Sequence, residues 1–243
     1  MDKLIKQGER LDDLNLDGLC VIQNANGYCF TSDSVLLANF INAGHKDNCI
    51  ELCAGCGVVS VIMGHKRKPQ SITMVEIQSE QVDRIKRTFD YNKMKANIIC
   101  SPLQGIHKTL GFGKFDVCYF NPPYEKSVKI SSINEEIAVS THEIKVNLRE
   151  IVEESAKLLK FGGKLFMVYP TNRLAELLYE LKIQNIEPKK MTIIHPKATK
   201  NAELALIYAV KGAKPGLVVT PPLVERDDNN KQTEQMNAIY DSR

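Results

Sequence analysis

From Cys49 onward, short apolar runs alternate with longer stretches whose apolar residues recur every three or four positions. Cys49-Ile50-Glu51-Leu52, Ile72-Thr73-Met74-Val75-Glu76, Ile98-Ile99-Cys100, Phe115 to Phe120 and Lys164 to Tyr169 are too short for buried helices and predict strands. Between them, apolar residues at helical spacing predict a helix from about Val58. A second runs from Ser79 to Asn92, with Val82, Ile85 and Phe89 on one face. Leu148, Ile151, Val152, Ser155, Leu158 and Leu159 predict another helix, which Phe161-Gly162-Gly163 stops. A helix from Arg173 to Ile183 follows, then two β-rich stretches at Met191 to His195 and Leu204 to Val210. Alternating strands and helices predict an α/β fold, a mostly parallel seven-stranded sheet with helices on both faces. Such sheets bind ligands beyond the carboxyl ends of their strands.

The first 48 residues lack that alternation. Cys20-Val21-Ile22 and Tyr28-Cys29-Phe30 flank Asn24-Ala25-Asn26-Gly27, and an Asn-Gly pair tolerates the positive φ of a tight turn. This predicts a hairpin. Ser32 or Asp33 is then the expected cap of a helix carrying Val35, Leu36, Leu37 and Phe40. The chain thus divides into a hairpin and helix capping the core (1–48), the core (49–224) and a polar tail (225–243). In the tail, Val224 to Thr233 reads as a loose loop and Glu234 to Tyr240 as a short helix.

Composition narrows the class. The 243 residues are 43% hydrophobic and 25% charged, an ordinary soluble globule that can bury a core without disulfides or metals. Seven scattered cysteines, an odd number, do not form a disulfide framework and predict a reduced, cytoplasmic protein. No apolar run approaches the ~20 residues of a membrane helix. A net charge of +3 does not by itself argue for nucleic acid. Locally, however, Lys189, Lys190, Lys197, Lys200, Lys211 and Lys214 face only Glu203, and Lys126 and Lys129 follow a motif described next. Ordinary solvated lysines are the competing reading.

Two constellations carry chemistry. Glu51-Leu52-Cys53-Ala54-Gly55-Cys56-Gly57 joins the first core strand to a helix, where glycines admit a ligand close to the backbone and the helix start offers free N–H groups. Glu76 ends the next strand, about 20 residues on, where a carboxylate can accept both ribose hydroxyls of a nucleoside cofactor. No Gly-Lys-Ser/Thr follows for a phosphate loop, and no full G-x-G-x-x-G for NAD. Cys53 and Cys56 read as small apolar filler, with a dithiol pair or half a metal site as alternatives; no further metal ligands stand at suitable spacing.

The second constellation is Asn121-Pro122-Pro123-Tyr124, closing the strand Phe115 to Phe120. The exocyclic amine of adenine is a poor nucleophile because its lone pair is delocalised into the ring. An Asn side-chain oxygen and the Pro122 carbonyl can accept its two N–H bonds and draw the nitrogen toward tetrahedral geometry as the transition state forms. Two prolines preorganise these acceptors, and Tyr124 offers a ring to a base turned out of its stack.

With these residues the chain resembles the bacterial tRNA1(Val) adenine-N6 methyltransferases of the class I, Rossmann-like fold, from about Arg10 to Asp227. Phe30-Thr31-Ser32-Asp33 with Leu36-Leu37 resembles the segment ahead of the family's first core strand, and Glu51 to Gly57 its cofactor loop, with Cys53 where glycine is frequent. Val75-Glu76-Ile77-Gln78 resembles its ribose-binding strand end, Thr141-His142-Glu143 a segment after the catalytic loop, and Lys214-Pro215-Gly216-Leu217 with Pro221-Pro222-Leu223-Val224 its C-terminal signature. The resemblance implies S-adenosylmethionine held by Asp33, Glu51, Cys53, Gly55, Gly57, Glu76, Ile77 and Asn121. It implies catalysis by Asn121, Pro122, Pro123 and Tyr124, no metal, and as substrate the adenine 3′ to the anticodon in the tRNA anticodon loop. Two positions depart from the pattern: Cys100-Ser101-Pro102-Leu103 lacks the acidic residue expected to hold the cofactor's adenine, and Thr141 stands where arginine is frequent. The same N-P-P-Y serves glutamine-N5 methyltransferases of release factors, the alternative reading. Those carry a larger helical N-terminal domain than the 48 residues ahead of this core allow.

Overall fold

A computed structural model describes residues 4–27, 29–122 and 146–241. Strands β1 (Glu9–Asp13) and β2 (Cys20–Asn24) precede α1 (Ser32–Phe40). The core follows as β3 (Asn48–Leu52), α2 (Val58–Arg67), β4 (Ser71–Glu76), α3 (Ser79–Tyr91), β5 (Asn97–Cys100), α4 (His107–Leu110) and β6 (Phe115–Phe120). After residue 145 come α5 (Leu148–Leu158), β7 (Leu159–Pro170), α6 (Leu174–Ile183), β8 (Ile186–Lys197), β9 (Leu204–Lys211), β10 (Val218–Val219), β11 (Leu223–Arg226) and α7 (Glu234–Asp241).

Among the described residues, nine strands form one sheet in the order β10-β8-β9-β7-β6-β3-β4-β5, with β11 sharing the β8 edge beyond β10. The seven expected strands are its centre. β5, β4, β3, β6 and β7 run parallel, and β9 inserts antiparallel between β7 and β8. Side chains of β6 alternate between two apolar layers, as the period of a strand requires. Val117 and Tyr119 meet Leu37, Val61 and Phe89 of α1, α2 and α3. Cys118 and Phe120 meet Ile151, Val152 and Leu177 of α5 and α6. Helices therefore cover both faces.

Three expectations need correction. β2 pairs with Glu9–Asp13, not with Tyr28-Cys29-Phe30. The turn at Asn24 does close, with Gly27 N 3.2 Å from Asn24 O, but Cys29 and Phe30 continue without joining a strand, and Tyr28 lies outside the described residues. The polar strand β1 is held from outside by charge. Arg87 of α3 reaches both Glu9 oxygens at 2.6 and 2.7 Å and keeps that carboxyl below its ordinary range. Ile22 N donates to Thr88 Oγ1 and Cys20 N to Asn92 Oδ1, both at 3.0 Å, so the hairpin lies on α3.

Phe161-Gly162-Gly163 does not separate helix from strand. α5 ends at Leu158, β7 begins at once, and the glycines form a bulge where the β6–β7 register slips between Phe115 and Val117. Finally, Val224 to Thr233 is not a loose loop. Leu223, Val224 and Arg226 pair with Ile194, His195 and Lys197, Thr233 Oγ1 donates to Val224 O at 2.6 Å, and Met236 of α7 is buried. Polar sequence here makes its hydrogen bonds within the chain. No helix among the described residues is long and apolar enough to cross a membrane.

Candidate active site

β3, β4 and β6 end side by side, and the chain leaves β3 through a turn with left-handed backbone at Cys53 (φ 57), Gly55 (φ 55) and Gly57 (φ 76). Cys53 thus takes a conformation that favours glycine. A Cβ on Gly57, the residue that caps α2, would stand 3.3 Å from Ile85 of α3, and its φ of 76 disfavours any side chain there. A Cβ on Gly55 would meet nothing within 4 Å: that backbone faces open space.

The open space is a cleft with about 870 Å³ free of atoms, its mouth included. Glu51, Cys53, Gly55, Glu76, Ile77 and Asn121 line it. Asp33 and Gly57 are not among its lining residues. Ser101 and Leu103 close the end where an acidic residue was missing in sequence, and Phe30 and Ser34 face it from α1 and the segment before it.

The Glu76 carboxylate is fixed by three backbone donors: Gly55 N at 2.8 Å on one oxygen, Ile77 N and Gln78 N at 2.9 Å on the other. Burial pushes this carboxyl up while the three N–H bonds pull it down. The turn and this strand end fit a nucleoside cofactor. The backbone leaves room at Gly55, and the carboxylate is rigidly held at the floor, where two hydroxyl donors would stabilise its charged form.

Asn121 leaves β6 into the same cleft. Its Nδ2 donates to Asp33 Oδ2 at 3.2 Å and to Ser34 Oγ at 3.0 Å, across 88 and 87 residues of sequence. Pro122 is buried behind it. Pro123, Tyr124, Lys126, Lys129 and Thr141-His142-Glu143 lie outside the described residues.

Sequence reasoning missed a buried chain of polar groups under the cleft. Ser60 of α2 donates to Glu51, and its Oγ lies 2.6 Å from the Tyr119 hydroxyl. All three are buried, and burial raises Glu51 to about 8 and Tyr119 well above the ordinary phenol range. Glu51 is a visible acid in the sequence, but nothing local marks its distant partner Tyr119. Burial disfavours the thiolate at Cys53 and Cys56. Burial pushes Cys56 up to about 12 and Cys53 up as well, and no His/Cys/Asp/Glu group among the described residues is arranged to hold a metal.

The basic stretch divides in two. β8 and β9 return to the cleft end of the sheet at Ile194↔Leu204, beside Pro170, which places Lys197 and Lys200 at that end. Lys211 pairs at Ile186 on the opposite end, where its Nζ donates to Leu159 O at 2.9 Å. Lys189 donates to Lys214 O, and Lys190 lies over the Phe40 ring at 5.4 Å.

Residues 30–191 match the family model described as "Methyltransferase small domain". A tRNA1(Val) (adenine(37)-N6)-methyltransferase of Shewanella woodyi is 24% identical over 88% of this chain and 90% of its own length. The ribosomal RNA small subunit methyltransferase C of Photorhabdus laumondii is 22% identical over 62% of this chain, which spans 43% of that longer protein. The crystal structure of a predicted O-methyltransferase from Agrobacterium tumefaciens superposes with a TM-score of 0.69 at 17% identity, covering 87% of this chain and 96% of its own. That superposition shows a shared class I methyltransferase fold.

Proposed function

Because this chain belongs to the methyltransferase small domain family and is an S-adenosylmethionine-dependent methyltransferase, we propose that it methylates N6 of an adenine in tRNA, at the position 3′ to the anticodon of tRNA1(Val). The observation that carries the reading is Asn121-Pro122 at the end of β6, its amide anchored in the same cleft as the turn at Gly55 and the carboxylate of Glu76. The Shewanella relative, similar along most of both chains, supports an RNA adenine as the acceptor.

S-adenosylmethionine supplies a methyl group on a sulfonium, whose neutral thioether leaves without help from a metal or strong base. Glu76 would accept hydrogen bonds from the two ribose hydroxyls, and the turn from Cys53 to Gly57 would leave room for the rest of the nucleoside. Glu51, Cys53 and Ile77 complete that side. On the other side the Asn121 side-chain oxygen and the Pro122 carbonyl accept the N–H bonds of the exocyclic amine. This holds the lone pair toward the methyl group and strengthens as positive charge develops on nitrogen. Tyr124 would stack on the target base. Lys197 and Lys200, at the cleft end of the β8–β9 turn, would bind tRNA phosphates, with counterion release making the binding salt-dependent.

The test is methyl transfer from labelled S-adenosylmethionine to tRNA from a strain lacking this protein, with nucleoside mass spectrometry of the product. N6-methyladenosine in the tRNA1(Val) anticodon loop is the expected result. Transfer to a release factor alone would establish glutamine-N5 chemistry instead, and transfer to ribosomal RNA alone would retain the amine reaction and replace the substrate.

A further inference from the structure

We infer that Asp33, with Ser34, is a positioning residue that sets which way the Asn121 amide faces. The inference rests on the reading that Asn121 accepts the substrate amine. An asparagine side chain has two nearly isosteric ends, and only the oxygen can accept. Turned the wrong way, Asn121 would present N–H to N–H and the reaction would lose its acceptor.

The choice is made from behind the residue. Asp33 and Ser34 are each only 5% exposed, and both sit in the first turn of α1. A carboxylate offers acceptors and no donor, so the end of Asn121 that lies 3.2 Å from Asp33 Oδ2 has to be its NH2. The reverse orientation would bring two acceptors together where water does not relieve them. Ser34 Oγ accepts from the same nitrogen at 3.0 Å. Asp33 is itself fixed, since its Oδ1 accepts from Ser34 N at 2.8 Å and from the Thr31 hydroxyl. With the NH2 held on the α1 side, planarity of the amide sets the side-chain oxygen at the opposite edge, away from Asp33 and Ser34. Asp33 reaches the cleft through Asn121, which lines it.

A reciprocal exchange tests the idea. Asn121→Asp alone sets two carboxyls against each other and should lower kcat by at least about 100-fold. Adding Asp33→Asn restores one donor and one acceptor at the contact, with the amide now at position 33 donating to a carboxylate at 121. A carboxylate oxygen remains to accept the amine, and kcat should recover by about 10-fold or more over the single variant. Kd for S-adenosylmethionine should stay within about twofold throughout, because the contact is not built for the donor. A role limited to holding the fold predicts no recovery. A folded double variant, judged by its thermal transition, that is no more active than Asn121→Asp would overturn the inference. If the double variant does not fold, Ser34→Ala and Asp33→Ala decide: both should lower kcat with cofactor Kd unchanged, and wild-type kcat in both rejects the positioning role. If Asn121→Ala keeps wild-type turnover, the underlying reading of Asn121 fails, whereas loss in Asn121→Ala with full activity in Asp33→Ala removes the positioning role alone.

Discussion

The two walls of the cleft are built in opposite ways. The donor wall comes from one continuous stretch, residues 51–78, in which strand, turn and helix follow one another and Glu76 reaches back to Gly55 over 21 positions. The acceptor wall joins residues 87 and 88 positions apart and depends on α1, which lies outside the alternating core. The donor wall rests on backbone, with the Glu76 carboxylate pinned by three N–H groups. The acceptor wall is side chain held by side chain. A locally built wall tolerates change elsewhere in the protein, whereas the other requires distant segments to arrive together.

If the two walls do separate jobs, substitutions should separate too. Asn121→Ala should give the largest effect, a loss of kcat on the order of 100- to 1000-fold with cofactor Kd nearly intact. Single-turnover kinetics beside calorimetry checks it, and wild-type kcat would end the transition-state argument. Glu76→Ala should do the reverse. It removes two charge-assisted hydrogen bonds whose net contribution together is about 1.5–3 kcal/mol, so Kd for S-adenosylmethionine should weaken by about 10- to 100-fold. Equal affinity by calorimetry would take Glu76 out of the donor site. Charge reversal of Lys197 and Lys200 together should be milder, raising KM for tRNA several-fold, more at low salt, without touching cofactor affinity. A matched reversal at Lys189 and Lys214, on the far end of the sheet, should do less, and equal effects would show that RNA covers both ends.

An effect on stability and not on turnover concerns Glu51, which joins the walls from beneath through Ser60 to Tyr119. Its folded value of about 8 lies above the ordinary 4.5 because of burial. Below about pH 4.5 both folded and unfolded chains hold the proton, and Glu51 costs nothing. From there to about 8 the folded chain keeps a proton the unfolded chain has lost, so this group makes stability fall as pH rises, by at most about 1.4 kcal/mol per pH unit. Glu51→Gln should flatten that part of the Tm profile, measured by thermal denaturation between pH 5 and 8. An unchanged slope would mean that Glu51 is ionised in its pocket.

The donor wall was legible in sequence because its signals are local. A strand, a turn with Gly55 and Gly57 and an acid at the next strand end fall within a short window, and the seven central strands announce themselves through period and length. The failures have a common physical cause. β1 is polar, Glu9-Arg10-Leu11-Asp12-Asp13, and is held by Arg87 and by hydrogen bonds to α3, so no apolar alternation marks it. β11 hides in a polar stretch for the same reason. Asp33 was legible as a residue of the site but not in its role, because the bond to Asn121 belongs to the folded chain and not to any window of sequence. Tyr119 reads as one more apolar position of a strand, and its hydroxyl acquires meaning only beside Ser60.

The hairpin of β1 and β2 leans on α3, and α3 follows directly from the strand that carries Glu76. The segment that supports the acceptor therefore takes its foothold on the donor half of the molecule, through Glu9 and Arg87, and reaches across to Asn121 from there. Such a span behaves like a bracket bolted to one side of a vice.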